Sequence, residues 1–421
     1  MERREESVIC PGCACLCDDL DLILEDDRPV AVHNVCTWGV GKFLTEKRLR
    51  PKKERRRLNH PLVRRHGRLE EVSYEAALTE AAAILTAARR PVIYGLTSSG
   101  SRAQEAALAL AQKLKARLEP ADLAFMAPYY QALQKHGLLW APLEVIRDEA
   151  DTLVYWGANP LHSCPRHVVR HAVFARGRYT ALGLEDRRVA AVDLYRTELA
   201  KFCHLYLCLA PEQELALVDA VTASLQGGPE PRNPEARQLT DFLAQASYGV
   251  IFCGRGVAYG GADLFDRLAG LAAVLNRKAP FVLFPLPGDF NAAGLYHLLL
   301  RELGSPFAPD FAKPPEEQFH AEPLDFREVD ALLVTGADLF WLLQTEQAQD
   351  LQERRVPIVA LGPFADRTTA QAQVCLPVAL DGIETAEIAH RLDGLPVFLR
   401  PVLPAPAPAT HQVLADLALC L

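Results

Sequence analysis

The stretch RPVIYGLTSSGSRAQEAALAL, Arg90 to Leu110, joins a short apolar run to a Gly/Ser-rich turn and then to an Ala/Leu-rich helical pattern. A continuous apolar run followed at once by a helix is the signature of a parallel strand covered on both faces. The turn presents backbone N–H groups at a helix N-terminus, a ready seat for an anion or a cofactor phosphate. It has neither the lysine of a phosphate loop nor a nucleophile with a base beside it. Ser101 followed by Gln104 fits a capping box, in which Ser101 accepts from the third helical residue and Gln104 reaches back. That pattern does not explain why Thr97, Ser98, Ser99, Gly100 and Ser101 are all small, which permits close approach of a ligand.

The same alternation continues from about residue 73 onward. PVIYGL, TLVYWGAN, RVAAVDL, LYLCLA, GVIFCGRG, PFVLFPL, ALLVTGAD, PIVALGP and VCLPVA are apolar runs separated by helical stretches. They predict α/β architecture with parallel sheets, whose ligands sit at the carboxyl ends of strands. DTLVYWGANPL (Asp151 to Leu161) and DALLVTGADLF (Asp330 to Phe340) form a faint repeat consistent with two nucleotide-binding-like halves.

The chain of 421 residues is half apolar, enough for two or three domains with real cores. Its net charge of -8 comes without a basic face or an Arg/aromatic run, which excludes the electrostatic footprint of a nucleic-acid binder. No apolar run is long enough to cross a bilayer, and MERREESVIC carries charges where a signal peptide needs an apolar core. A cytoplasmic chain without membrane partners is expected. RLRPKKERRRLNHPLVRRHGR, Arg48 to Arg68, reads as a basic connector, or else as a strap on an acidic partner.

In a reducing compartment the eleven cysteines are not a disulfide framework, and five fall in the first 36 residues. CPGCACLC followed by NVCTWGVGKF places Cys10, Cys13, Cys17 and Cys36 in a C-x2-C-x3-C pattern with a distant fourth thiolate. Four soft ligands at this spacing suit a cubane iron–sulfur cluster; a four-thiolate zinc site and an emptied relic are the competing readings. Cys15 is left over, and Cys164, Cys203, Cys208, Cys253, Cys375 and Cys420 read mostly as small buried hydrophobes. His162, His167 and His171 lack a Glu base and a third ligand, so a polar helix face is expected rather than a metal pair. Asp193 closes a strand, where it suits a ribose or base edge as well as a turn.

With CPGCACLCDDL, YWGANPLHSCPRHVVRHAVFARGRYT, PGDFNAAG, SPFAPDF and LPVALDGIETAEIAHRLDGLPV in order, the chain resembles the molybdopterin oxidoreductases. Within them it is most similar to the B subunit of formylmethanofuran dehydrogenase and of the bacterial formyltransferase/hydrolase complex. The resemblance implies a small N-terminal iron–sulfur module and two Rossmann-like α/β domains, with no C-terminal β-barrel in this chain. The expected division is 1–60, 61–215, 216–400 and a C-terminal arm, 401–421. It implies a [4Fe–4S] cluster on Cys10, Cys13, Cys17 and Cys36, and pterin contacts at Ser101, Gly157, Asn159 and Asp193 if that cofactor is retained.

Four places depart from the dehydrogenase pattern. Ser101 stands where the metal-binding cysteine or selenocysteine lies, and Pro287, Gly288 and Asp289 replace Arg-Gly-His. Tyr195 replaces an arginine beside the kept Thr197, and Pro363-Phe364 stands for Pro-His. The resemblance therefore implies a chain without tungsten- or molybdenum-pterin and without catalytic residues of its own; the alternative it leaves open is an active bis-pyranopterin dehydrogenase subunit, with Ser101 as the tungsten or molybdenum ligand, that reduces carbon dioxide to formate. Its expected role is a scaffold for the amidohydrolase-like (A), third (C) and formyltransferase (D) subunits of a complex in tetrahydromethanopterin- and methanofuran-linked one-carbon metabolism, on the path from formaldehyde to formate.

Overall fold

The computed structural model describes residues 2–44 and 56–421. The first half of the basic connector lies outside these residues. Its second half is not a linker. Leu62–Arg65 and Arg68–Glu71 pair as a hairpin on the edge of a large sheet, and Arg57 is tied to Glu384 at 2.7 Å.

The N-terminal module is a three-stranded antiparallel sheet of Glu2–Val8, Leu20–Glu25 and Arg28–His33. Leu20, Leu22 and Leu24 alternate inward along the middle strand and are buried, as the period of a half-covered strand requires. The cysteine loop connects the first two strands, and Cys36 sits at the N-cap of the helix Thr37–Phe43.

All nine apolar runs are strands, and they assemble into two open sheets. Five parallel strands lie in the order Leu205–Cys208, Arg188–Asp193, Thr152–Trp156, Gly249–Cys253 and Phe281–Pro285. The second sheet continues the edge hairpin with Val374–Pro377, Ile358–Gly362, Ala331–Thr335, Pro91–Gly95 and Arg117–Pro120, these five again parallel. Strands such as Pro91–Gly95 and Gly249–Cys253 are buried throughout because helices cover both faces, which is why they read as unbroken apolar runs.

The sheets do not part at residue 215. The seven-stranded sheet takes strands from both the beginning and the end of the chain, and the five-stranded sheet occupies the middle. Order along the sequence cannot reveal this, because a crossover that leaves one sheet for another has the same apolar signature as one that stays. The faint repeat marks equivalent places: Thr152–Trp156 and Ala331–Thr335 are each the middle of five parallel strands. Each strand is followed by a glycine at positive φ, Gly157 at 54° and Gly336 at 66°, and by a short helix capped at Asn159 or Asp338.

No closed barrel occurs among the described residues. The C-terminal part is a hairpin of Glu387–His390 with Pro396–Leu399, then a proline-rich stretch and the helix Thr410–Leu419. That helix packs against Ser101–Leu114 with Val413, Leu414 and Leu417 buried, so it belongs to the core rather than to a free arm.

Candidate functional site

The carboxyl ends of both sheets and the N-terminal module enclose a cleft of about 1350 Å³. Gly12, Trp38 and Lys42 come from the module, Ser98, Trp341 and Arg367 from one sheet, and Gly157, Asn159, Gly254, Arg255, Gly288 and Asp289 from the other. Gly157 and Asn159 line this cleft, whereas Ser101 and Asp193 are not among its lining residues. Asp193 instead accepts from the N–H of Leu194 at 2.8 Å, the local turn role. The glycines that follow the neighbouring strands Thr152–Trp156 and Gly249–Cys253 are explained without a ligand. A Cβ on Gly157 would meet the backbone N of Val257 at 2.6 Å, and one on Gly254 the carbonyl of Gly157 at 2.2 Å.

The turn after Pro91–Gly95 begins the helix Ser101–Leu114, and its N-cap is Gly100, in extended conformation, not Ser101. The expected capping box is absent because Gln104 is buried and spends its amide on the carbonyls of Leu96 (3.0 Å) and Asn291 (2.9 Å). Ser101 Oγ accepts from the Asn291 amide at 3.3 Å, and the same amide donates to Ser99 O.

The anion seat is filled by the protein's own carboxylates. Asp381 accepts from the N–H of Gly100 at 2.8 Å, and Glu387 from the N–H of Arg102 at 3.4 Å. A Cβ on Gly100 would sit 2.3 Å from the Glu387 carboxyl carbon, so no space is left over the helix N-terminus. Burial pushes the Asp381 carboxyl up to about 6 against the Gly100 N–H that stabilises its charge, and burial also raises Glu387. Thr410 Oγ1 donates to Asp381, so the C-terminal helix holds this acid in place, and His411 stands 3.3 Å from Glu387. Sequence reasoning missed these two residues, which lie far along the chain from the turn.

Asp289 closes the other side. It accepts from Thr97 Oγ1 at 2.8 Å and Ser98 Oγ at 3.0 Å, with Arg255 at 3.3 Å. A pyranopterin phosphate seeking these donors meets three carboxylates instead, and the turn does not fit the group.

The cysteine loop is different. Cys10, Cys13 and Cys17 are buried and Cys36 is half-buried; the Cys10 thiol is pushed up by burial and then by the neighbouring Cys13, Cys17 and Cys36. Burial and Cys13 push the Cys17 thiol up to about 12, against the pull of Arg166 and Arg170. The backbone N–H groups of Gly12 and Cys15 face the sulfurs of Cys10 and Cys13. Three buried thiols and the half-buried Cys36, with N–H groups aimed at sulfur, fit a cluster, which would replace their protons.

Of the cysteines outside the quartet, Cys164, Cys253 and Cys375 are buried as expected, whereas Cys203 is half-buried and Cys208 and Cys420 are exposed. Cys15 and Cys164 are fully buried beside Cys13, and the three sulfurs lie within 4.8 Å of one another. Hydrogen bonds from Cys15 and Cys164 hold the Cys13 thiol well below its usual range. The histidines are no polar face either: His167 is wholly buried, 3.2 Å from Tyr155 Oη and 4.6 Å from the Phe252 ring, and burial pushes it down to about 3. His171 is also buried and held low, while His162 lines the cleft.

Two Rossmann-like sheets closing on a cleft under a cysteine module define the molybdopterin oxidoreductase class, and the sequence profile of that family matches residues 57–226. The B subunit of the tungsten-containing formylmethanofuran dehydrogenase 2 of Methanocaldococcus jannaschii is 30% identical over 96% of this chain and 95% of its own. The protein of the same description from Methanococcus maripaludis is 29% identical over 95% and 94%. The chain belongs to the family of formylmethanofuran dehydrogenase B subunits. Among solved structures, the formyltransferase/hydrolase complex of Methylorubrum extorquens with methylofuran aligns with a TM-score of 0.66 at 20% identity, covering 85% of this chain and 97% of that one. Acetylene hydratase from Pelobacter acetylenicus aligns at 0.66 and 13% identity, covering 99% and 69%. Both likenesses speak to the fold.

Proposed function

We propose that this chain is a redox-inactive scaffold, the B subunit of a hetero-oligomeric formyltransferase/hydrolase complex in cytoplasmic one-carbon metabolism. Formyl transfer from tetrahydromethanopterin to a methanofuran-type carrier, and hydrolysis to formate, belong in this reading to the amidohydrolase-like (A), third (C) and formyltransferase (D) subunits. The observation that carries it is the occupied turn: Asp381 and Glu387 take the N–H groups and the space at Gly100–Arg102 that a metal-pterin would need. Asp289 at the mouth adds negative charge, which disfavours formate rather than stabilising it. A [4Fe–4S] cluster on Cys10, Cys13, Cys17 and Cys36 serves here to fold the N-terminal module, since metal–thiolate bonds substitute for a core in so short a segment.

A second reading is favoured by the relatives themselves: those near 30% identity are named tungsten-containing dehydrogenases, and the cleft is large. It makes the chain an active subunit with Ser101 beside tungsten or molybdenum. One sample separates the two. The complex purified without oxygen is analysed for iron, tungsten, molybdenum and extractable pterin, and assayed for formate-dependent dye reduction. The scaffold reading expects neither tungsten nor molybdenum above trace and no dye reduction. Stoichiometric metal with pterin, together with activity lost in Ser101→Ala, establishes the second reading instead.

A further inference from the structure

Cys15 sits in the cysteine loop between Cys13 and Cys17, and Cys164 follows the short helix Pro160–Ser163, beyond the middle strand of the five-stranded sheet. Neither belongs to the quartet, yet both meet it. Their sulfurs and that of Cys13 lie within 4.8 Å of one another, with Cys15 1% and Cys164 0% exposed. A thiol in so dry a place stays neutral and keeps its proton to donate. Hydrogen bonds from both reach the Cys13 sulfur, which also takes the Cys15 backbone N–H and feels the charge of Lys42. Cys164 has a second acceptor, the Pro287 carbonyl at 3.5 Å. When Cys13 is an iron-bound thiolate, its negative sulfur competes for that proton better than a neutral carbonyl does.

We propose that Cys15 and Cys164 serve a [4Fe–4S] cluster on Cys10, Cys13, Cys17 and Cys36 as S–H donors to the Cys13 thiolate, not as ligands. They thereby set its reduction potential and tie the loaded module to the five-stranded sheet. Both thiols keep their protons, and neither forms a bond to iron. The direction of the effect follows from charge. One added electron makes the cluster more negative, and donors aimed at a ligating sulfur stabilise that state, so they raise the potential against the burial that lowers it.

This role rests on the cluster of the proposed function, and the two fail separately. The full chain and its Cys15→Ala, Cys164→Ala and double variants are reconstituted with iron and sulfide under nitrogen. Each is titrated with dithionite against mediator dyes while the cluster absorbance is followed. All should take up as much iron as the parent. In the double variant the ratio of reduced to oxidised cluster at a fixed potential should fall roughly tenfold, two weak donors together matching about one hydrogen bond to a charged group. The midpoint then drops by about 59 mV for this one-electron couple. Cys15→Ser and Cys164→Ser, which keep a donor, should stay close to the parent. Equal potentials in parent and double variant, or serine variants that fall with the alanine ones, overturn the donor role and leave the cluster in place. Iron uptake lost in a folded Cys15 or Cys164 variant makes that residue a ligand and overturns the role as well, and a parent that takes up no cluster overturns both. If the alanine variants do not fold, infrared spectra of the unmodified protein decide. S–H stretching bands displaced to lower frequency on cluster loading support the donors, and unmoved bands overturn them.

Discussion

Asp122 shows what a single buried carboxyl does beneath this cleft. It accepts from Tyr296 Oη at 3.0 Å through one oxygen, and the other has no hydrogen-bond partner among the described residues. Burial pushes it up to about 7, with Arg255 pulling it down and Asp289 pushing further up. An acid raised in the folded state above its unfolded value of 3.8 holds its proton in the native protein while the unfolded chain has lost it. The contribution of Asp122 to stability is therefore greatest below about pH 4 and falls as pH rises toward 7, by on the order of 1.4 kcal/mol for each pH step of one across that interval. Asp122→Asn keeps the acceptor for Tyr296 and removes the charge. Urea unfolding at pH 5 and pH 8 should show the variant gaining on the parent by a few kcal/mol at the higher pH, and a difference that stays constant between the two would exclude this role. At this scale the sequence was legible where chemistry is local: the cysteine spacing, and Gly157 and Asn159 at a strand end. It was silent on Asp381, Glu387 and Cys164, whose meaning comes from residues far away in the chain that they meet only after folding.

The C-terminal helix, Thr410–Leu419, is an element whose position gives it two tasks. Its apolar face buries Val413, Leu414 and Leu417 against the helix that begins at Ser101, each contributing about 1.5–3 kcal/mol by removal from water. Its first turn contributes Thr410, whose hydroxyl holds the Asp381 carboxylate over Gly100, and places His411 beside Glu387. Removing residues 410–421 should thus cost several kcal/mol, comparable with the whole stability of an ordinary domain. The expected outcome is a chain found largely in the insoluble fraction, with any soluble part unfolding at a clearly lower urea midpoint. A truncated protein as soluble and as stable as the full chain would show that the helix is an arm after all. In the sequence, residues 401–421 read as a C-terminal arm; only the packing shows that the proline-rich stretch leads back onto the fold.

For the molecule as a whole, nine apolar runs announced two parallel sheets, but their order along the chain hid the interleaving, because strand identity does not encode sheet membership. The same interleaving makes the docking of the N-terminal module a matter of a few long-range ties. Arg166 reaches from the five-stranded sheet's side to Asp19, at 2.5 and 2.6 Å in a two-pronged contact, and also meets the Asn34 carbonyl. Arg170 adds Asp18 and Asp19. Burial works against the Asp19 charge, yet the Arg166 hydrogen bonds and the Arg170 charge outweigh it and hold the carboxyl below its usual range. A depressed acid contributes stability that is present above its unfolded value near 3.8 and lost as pH falls through the folded one, so this tie is intact at neutral pH. Arg166→Ala leaves both carboxylates with one arginine and the Asn34 carbonyl without its donor. Hydrogen exchange should then quicken selectively in residues 2–44, while the buried strands Thr152–Trp156 and Ala331–Thr335 keep their protection. Uniformly faster exchange over both sheets would mean instead that module and sheets unfold as one cooperative unit, and unchanged exchange would mean that the shared apolar core, where Cys13, Cys15 and Cys164 pack among Val8, Leu22 and Tyr155, suffices alone.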